Sequence, residues 1–205
     1  FHEVGGLKVD MKIINGVPYV GMVNLHDIHF KYLGSNVADV ENDGILIYRT
    51  STISNVAVDN FPGHGIHLEG NVHDVNVNYG NVSLSKISDS VVVYSGKSGV
   101  YIRGKDAQVM VIQGVSSFYN GRRMLQEDGF GFYDESMLGN TYLACHTRNN
   151  LRAGYRAAKY MGIAPNHSLY INCYSEHSYN PVDIYMEEGR SLLDNDAMVI
   201  SSLAD

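Results

Sequence analysis

The sequence predicts an all-β fold, a parallel β-helix in which short strands stack coil on coil in one solenoid domain spanning residues 1–205. Three observations carry this expectation. A glycine-led apolar alternation recurs along the chain, a second alternating phrase recurs between its copies, and no convincing amphipathic helical stretch interrupts them.

The first phrase is a glycine followed by period-two alternation, the strand signature. It occurs as GILIY from Gly44, GIHLE from Gly65, GVYIR from Gly99 and GFGFY from Gly129, with weaker copies NVSLS from Asn81, GYRAA from Gly154 and PVDIY from Pro181. If the residue after each glycine points inward, one core row reads Ile45, Ile66, Val82, Val100, Phe130, Tyr155 and Val182. The next reads Ile47, Leu68, Leu84, Ile102, Phe132, Ala157 and Ile184. Nearly all are apolar, as a continuous dry core requires.

The second phrase occurs as DIHF at Asp27, NVAV at Asn55, DVNV at Asp74, GVSS at Gly114, ACHT at Ala144 and NCYS at Asn172, with SVVV at Ser90 as a further member. Its inward row reads Ile28, Val56, Val75, Val91, Val115, Cys145 and Cys173, so both cysteines are expected as small core residues on neighbouring coils. Turns rich in Gly, Asn, Asp and Ser separate the phrases, at repeat lengths of about 16–30 residues. Asn60, Asn120 and Asn150 fall in the turn after the second phrase, where asparagine tolerates left-handed backbone.

Composition narrows the function classes. Hydrophobic residues make up 44% and charged residues 18%, which argues against disorder. A formal net charge of −7 offers no general attraction to nucleic acid or anionic membranes. No apolar run is long enough to cross a bilayer, so no membrane insertion is expected. The chain opens on Phe1 without a secretory signal and ends without a recognisable terminal element, so it is expected to be a segment of a longer protein.

The run GVYIRGKDAQVMVIQGVSSFYNG, then DGFGFYDESMLGNTYLACHTRNN, GYRAAKY and LYINCYSEHSYNPVDIY, resembles pectate-lyase-like β-helix proteins, as found in phage tailspikes and bacterial polysaccharide-processing proteins. The likeness extends from about Asn24 to Tyr185. It implies a right-handed single-stranded parallel β-helix, a carbohydrate ligand and, for tailspike members, a homotrimer on the virion tail. The calcium-binding Asp cluster of true pectate lyases is not recognisable here, which argues against that mechanism.

Outward-facing rows of the first phrase supply the candidates for chemistry. One reads Leu46, His67, Ser83, Tyr101, Gly131, Arg156 and Asp183, and its neighbour Tyr48, Glu69, Ser85, Arg103, Tyr133, Ala158 and Tyr185. Aromatic faces stack on sugar rings while Arg and Glu bond hydroxyls and carboxylates, though a solvated sheet face can carry the same residue types. Glu69 is the first catalytic candidate, with His67 on the same face. Asp134 and Glu135 would lie about 14 Å from it if the Asn81 copy is a coil of the stack, or about 10 Å if it is not. An inverting acid–base pair stands about 6.5–9.5 Å apart. A lyase would instead use His67 or Tyr101 as base and Arg103 or Arg156 to steady the developing charge. Tyr48, Tyr133 and Arg156 are candidate substrate-binding residues, and Arg122 and Arg123 of the insertion RRMLQED can hold an acidic sugar. His64, His67 and Glu69 lack a completing Cys or Asp, so no metal and no cofactor is expected. Three readings follow: a tailspike-like protein that binds and depolymerises a host surface polysaccharide, a secreted bacterial lyase or hydrolase, or a non-catalytic structural or adhesive protein.

Overall fold

A computed structural model describes residues 22–34, 42–71, 80–122, 128–158 and 167–176, together with the strand backbones at 7–9, 13–14, 17–18, 184–186, 198–200 and 203–204. No helix occurs among the described residues. A seven-stranded sheet runs in the order β1 (Leu7–Val9), β5 (Ile45–Ile47), β7 (Ile66–Glu69), β10 (Val100–Gly104), β13 (Phe132–Ser136), β16 (Tyr155–Ala157) and β19 (Ile184–Met186). A twelve-stranded sheet is built on β4 (Val23–Lys31) and β6 (Ser51–Asp59). One of its arms continues through β8 (Lys86–Ser88), β11 (Val111–Gln113), β14 (Thr141–Leu143), β17 (Leu169–Ile171) and β20 (Met198–Ile200). Its other arm continues through β9 (Val91–Val93), β12 (Ser116–Phe118), β15 (His146–Arg148), β18 (Tyr174–Glu176) and β21 (Leu203–Ala204). All these pairings are parallel; only the small hairpin of β2 (Ile13–Ile14) and β3 (Val17–Pro18) is antiparallel among the described residues.

The all-β class and the parallel pairing stand, but the expected right-handed single-stranded β-helical solenoid is corrected. The strands form one parallel sheet and a second parallel sheet curled like half a barrel, not the separate flat faces of a regular coil. The reason lies in β4 and β6. Each is nine residues long and runs unbroken through a corner, so β8 pairs with residues 52–54 of β6 and β9 with residues 57–59. The rows on the two sides of the corner therefore fuse into one sheet.

That corner has a chemical cause. Asp27, Asn55, Asp89, Gly114, Ala144 and Asn172 all have φ between 49° and 61° and sit at the same point of successive strands. Left-handed backbone at one residue swings the strand direction, and Asp, Asn and Gly adopt it at least cost. Backbone bonds of 2.9–3.0 Å tie the column together, from the Asp89, Gly114 and Ala144 N–H groups to the next row's carbonyls. Five of these residues head copies of the second phrase. Asp74, which also heads a copy, lies outside the described residues, and Asp89 occupies the column before SVVV.

The two sheets meet at a row of glycines. Gly44, Gly65, Gly99, Gly131 and Gly154 lie one above another at the start of the smaller sheet's strands. None has positive φ, so what they supply is room. A Cβ on each would meet, in turn, Val58, Val92, Ser117, Thr147 and Ser175, which form one inward row of the larger sheet. Between the sheets the core holds Ile45, Ile66, Leu68, Val100 and Ile102, all fully buried. It also holds a ring cluster in which Phe132 stacks on Tyr155 at 5.2 Å and Tyr142 on Tyr170 at 4.9 Å. Burying such a side chain contributes about 1.5–3 kcal/mol each.

Register departs from the expected rows at four places. Val100 pairs with Phe132, so the anchoring glycine of GFGFY is Gly131 and not Gly129. Tyr155 pairs with Ile184, and Val182 lies outside the described residues. The NVSLS copy does not enter the smaller sheet: β7 pairs directly with β10, and Leu84 is exposed with φ 63°. In the larger sheet Ser90, 1% exposed, takes the inward place expected for Val91, which is exposed; Ile28 keeps its expected register with Val56 but is exposed. Cys145 and Cys173 are buried as expected, with no disulfide.

Beside the glycine row, Asn120 and Asn150 are stacked and buried. Asn120 Nδ2 donates to Asn150 Oδ1 at 2.8 Å, and the Ser95 N–H donates to Asn120 Oδ1 at 3.0 Å. Asn60 belongs to a different column, one residue earlier, with Tyr94, Tyr119 and Asn149. Gly99→Ala is expected to destabilise the fold by about 1–3 kcal/mol, the usual cost of overpacking. The new methyl would sit 2.7 Å from Asn120 Nδ2 and 2.9 Å from the Gly131 carbonyl. Urea unfolding followed by circular dichroism measures this, and an unchanged midpoint would show that the glycine row is not a packing constraint.

Candidate functional site

The outward face of the smaller sheet gathers most of the candidate residues. Register aligns Leu46, His67, Tyr101, Tyr133 and Arg156 in one row, and Glu69, Arg103 and Glu135 in the next. Parallel strands place such residues about 4.8 Å apart along the row. Tyr133 therefore lies beside Tyr101, not in the Glu69 row where the sequence placed it, and Gly131 belongs to the glycine row.

At one end of the face, Asp43 Oδ2 lies 2.7 Å from His67 Nδ1, and His67 Nε2 lies 3.3 Å from Glu69 Oε2. Asp43 also accepts the His64 N–H through Oδ1 at 2.6 Å, so one carboxylate orients both the loop and the imidazole. Burial pushes the Asp43 carboxyl up, but the hydrogen bond and charge of His67, with His64, outweigh it and hold the group below its usual value. The His64 ring stacks on Tyr101 at 4.4 Å. Burial, helped by the charge of His67, holds the His64 imidazole well below the ordinary histidine value.

In the middle of the face, the Tyr101 hydroxyl donates to Glu135 Oε2 at 2.8 Å, and Arg103 Nε lies 3.6 Å from the same oxygen. Burial, reinforced by the charge of Glu135, pushes the Tyr101 phenol far above its ordinary value. Tyr101 thus serves as a hydrogen-bond donor and makes a poor base near neutral pH. At the other end the Arg156 guanidinium lies over the Tyr133 ring at 4.4 Å and over Phe130 at 5.1 Å. Tyr101 and Tyr133 are 4.8 Å apart, so a continuous run of packed rings extends from His64 to Arg156, buried at His64, His67 and Tyr101 and half-buried at Tyr133.

Because the NVSLS copy does not intervene, Glu135 is two strands from Glu69 with Arg103 between them. Their backbones are about 10 Å apart. Asp134 is not part of this pair. It occupies the inward row, fully buried, and its carboxylate accepts from Tyr142, Ser168, Asn140 and the Ser136 N–H at 2.8–3.0 Å. That network is structural.

Tyr48 follows β5 directly, and its carbonyl accepts the Asn81 N–H. Arg122 stands apart from the face: it lies over Tyr94 and bonds Asn60. Arg123 lies outside the described residues, as do Asp183 and the side chain of Tyr185. On the larger sheet, Arg148 and Glu176 are paired in register at 3.7 Å, beside His146 and Tyr174, as an exposed ion pair of small energetic weight. Among the described residues no group of three metal-capable side chains gathers, and no helix is long and apolar enough to cross a membrane.

No protein-family model matches the chain, and no curated protein or solved structure matches it. The reading of the face therefore rests on its own geometry.

The state of His64 has a measurable consequence. Its folded-state value is depressed, so below the ordinary histidine range the unfolded chain takes up a proton that the folded chain refuses. The stability it contributes is present above about pH 6.5 and is lost as pH falls below that value. Urea midpoints measured from pH 8 to pH 5 should fall, and His64→Phe, which keeps a ring against Tyr101, should flatten the slope. Equal slopes would show that His64 is not buried neutral.

Proposed function

We propose that this face binds an extended polysaccharide and hydrolyses it, as a tailspike-like depolymerase would. The observation that carries the reading is the alignment of Glu69, Arg103 and Glu135 in one outward row. The two glutamates stand on either side of Arg103 with backbones about 10 Å apart, close to the carboxyl separation of about 6.5–9.5 Å used by inverting glycosidases. Glu135, which accepts the Tyr101 hydroxyl and lies 3.6 Å from Arg103 Nε, is the base that activates the water. Glu69, beside His67 Nε2, is the acid that protonates the leaving oxygen. The Asp43–His67 contact orients the imidazole and, through it, Glu69. Arg156, held over the Tyr133 ring, is the group that bonds hydroxyls or carboxylates of adjoining sugar rings, with Tyr133 as its platform.

This reading brings with it the homotrimer and virion-tail setting of the tailspike resemblance; a secreted enzyme acting as a monomer is the alternative, and light scattering separates them. Elimination is the competing chemistry, with His67 as base and Arg103 beside it. The test is incubation with a panel of bacterial surface polysaccharides, reading chain length and end-group mass together. Hydrated ends support hydrolysis, unsaturated ends transfer the chemistry to His67, and binding without shortening leaves an adhesive role. Glu69→Gln and Glu135→Gln are each expected to lower turnover about 10²–10⁴-fold without changing the unfolding midpoint. Tyr133→Ala should weaken binding by about 1 kcal/mol. Full turnover in both glutamine variants would remove the pair from the reaction.

A further inference from the structure

The second arm of the larger sheet presents an outward face of its own, apart from the Glu69 row. Register aligns Lys31, Asp59, Val93, Phe118, Arg148 and Glu176 in one row across β4, β6, β9, β12, β15 and β18. The adjoining residues Val58, Val92, Ser117, Thr147 and Ser175 are buried, so alternation turns this row outward. Val93 and Phe118 form its apolar middle, widened by Ala57 and by Val91, which is 41% exposed. Charge in the row sits at its two ends. Lys31 Nζ meets Asp59 at 3.0 Å, and Arg148 Nε lies 3.7 Å from Glu176.

From β4 to β18 the row runs positive, negative, apolar, apolar, positive, negative. From β18 to β4 it runs negative, positive, apolar, apolar, negative, positive. Laid on its own reverse, every charge meets its opposite and apolar meets apolar. A two-fold axis parallel to the strands, between β9 and β12, performs that superposition. It sets Lys31 against Glu176, Asp59 against Arg148 and Val93 against Phe118 of a second chain. The same axis bisects the turn column Asn60, Tyr94, Tyr119 and Asn149, whose residue types are the same in both directions. The charges have capacity for a further contact. Lys31 and Arg148 keep 53% and 48% of their side-chain surface exposed, and Arg148 Nε stands beyond hydrogen-bonding distance of Glu176.

We propose that this face pairs two copies of the chain, sheet on sheet, with their stacks running in opposite directions. Burial of Val91, Val93 and Phe118 drives association, and the charges at the two ends fix its direction. Six strands about 4.8 Å apart span about 24 Å. A patch of that length lies at the small end for a protein pair, so the dissociation constant is expected on the order of micromolar or weaker. The pairing does not rest on the chemistry proposed at Glu69 and Glu135, which lie on the other sheet. Where a three-fold assembly also forms, pairing takes it from three chains to six.

The experiment is analytical ultracentrifugation of the whole chain from about 1 to 500 µM, a range that brackets a weak pair. The mass of the unaltered chain is expected to double as concentration rises. Lys31→Glu with Asp59→Lys reverses one end while keeping an ion pair within the chain. Arg148→Glu with Glu176→Arg does the same at the other end. Either variant alone sets a reversed end against an unreversed one, so like charges meet. Each should keep its unfolding midpoint and pair at least tenfold more weakly. In an equal mixture of the two, reversed ends meet reversed ends and unreversed ends meet unreversed ones, and the doubled mass should return. A mass that does not double in the unaltered chain, a variant that pairs as the unaltered chain does, or a mixture that stays at half mass overturns the proposal.

Discussion

The rest of the structure depends on how closely the two sheets approach along Gly44, Gly65, Gly99, Gly131 and Gly154. Each glycine sets the phase of the strand that follows it, because only a residue without a Cβ fits against Val58, Val92, Ser117, Thr147 or Ser175. Once that phase is set, period-two alternation decides which side chains enter the core and which face outward. Ile66, Val100, Phe132 and Tyr155 go in; His67, Tyr101, Tyr133 and Arg156 go out. The candidate chemistry is thus positioned by a packing contact on the other side of the sheet.

The curl of the larger sheet is a second, separable constraint. It comes from left-handed residues at one point of every strand, and its chemistry is mostly that of Asp, Asn and Gly. Ala144 is the exception, and its conformation is carried by the bonds that its neighbours make above and below. The buried polar groups are accounted for in the same spirit. Asp134 is surrounded by donors, and Asn120 and Asn150 bond one another and the backbone. Burying such groups unpaired would cost more than each bond contributes.

Much of this was legible in the sequence, and the failures have identifiable causes. Recurring alternation disclosed the all-β class, the parallel stacking and most of the core rows. Handedness and a regular solenoid did not follow from it, because alternation within a phrase says nothing of strands that run through a corner, as β4 and β6 do. GFGFY contains two glycines, and only close approach distinguishes Gly131 from Gly129; choosing the first misplaced Tyr133 and hid the alignment of Glu135 with Arg103. NVSLS alternates like its neighbours yet leaves the sheet, and alternation alone does not disclose that. Tyr94 and Tyr119 were overlooked altogether: an exposed tyrosine in a turn carries no periodic signal, and only its backbone conformation marks it.

The column holding those tyrosines has a consequence for how the protein can change. Its backbone is held by carbonyl and amide groups of adjoining rows; Tyr94 and Tyr119 project into solvent, while Asn60 is half-buried and donates to the Tyr32 carbonyl. Folding therefore asks of Tyr94 and Tyr119 chiefly that they tolerate left-handed backbone. These two behave as exchangeable positions on a fixed frame, where the surface can diverge, or be redesigned, with little effect on the stability of the sheets beneath.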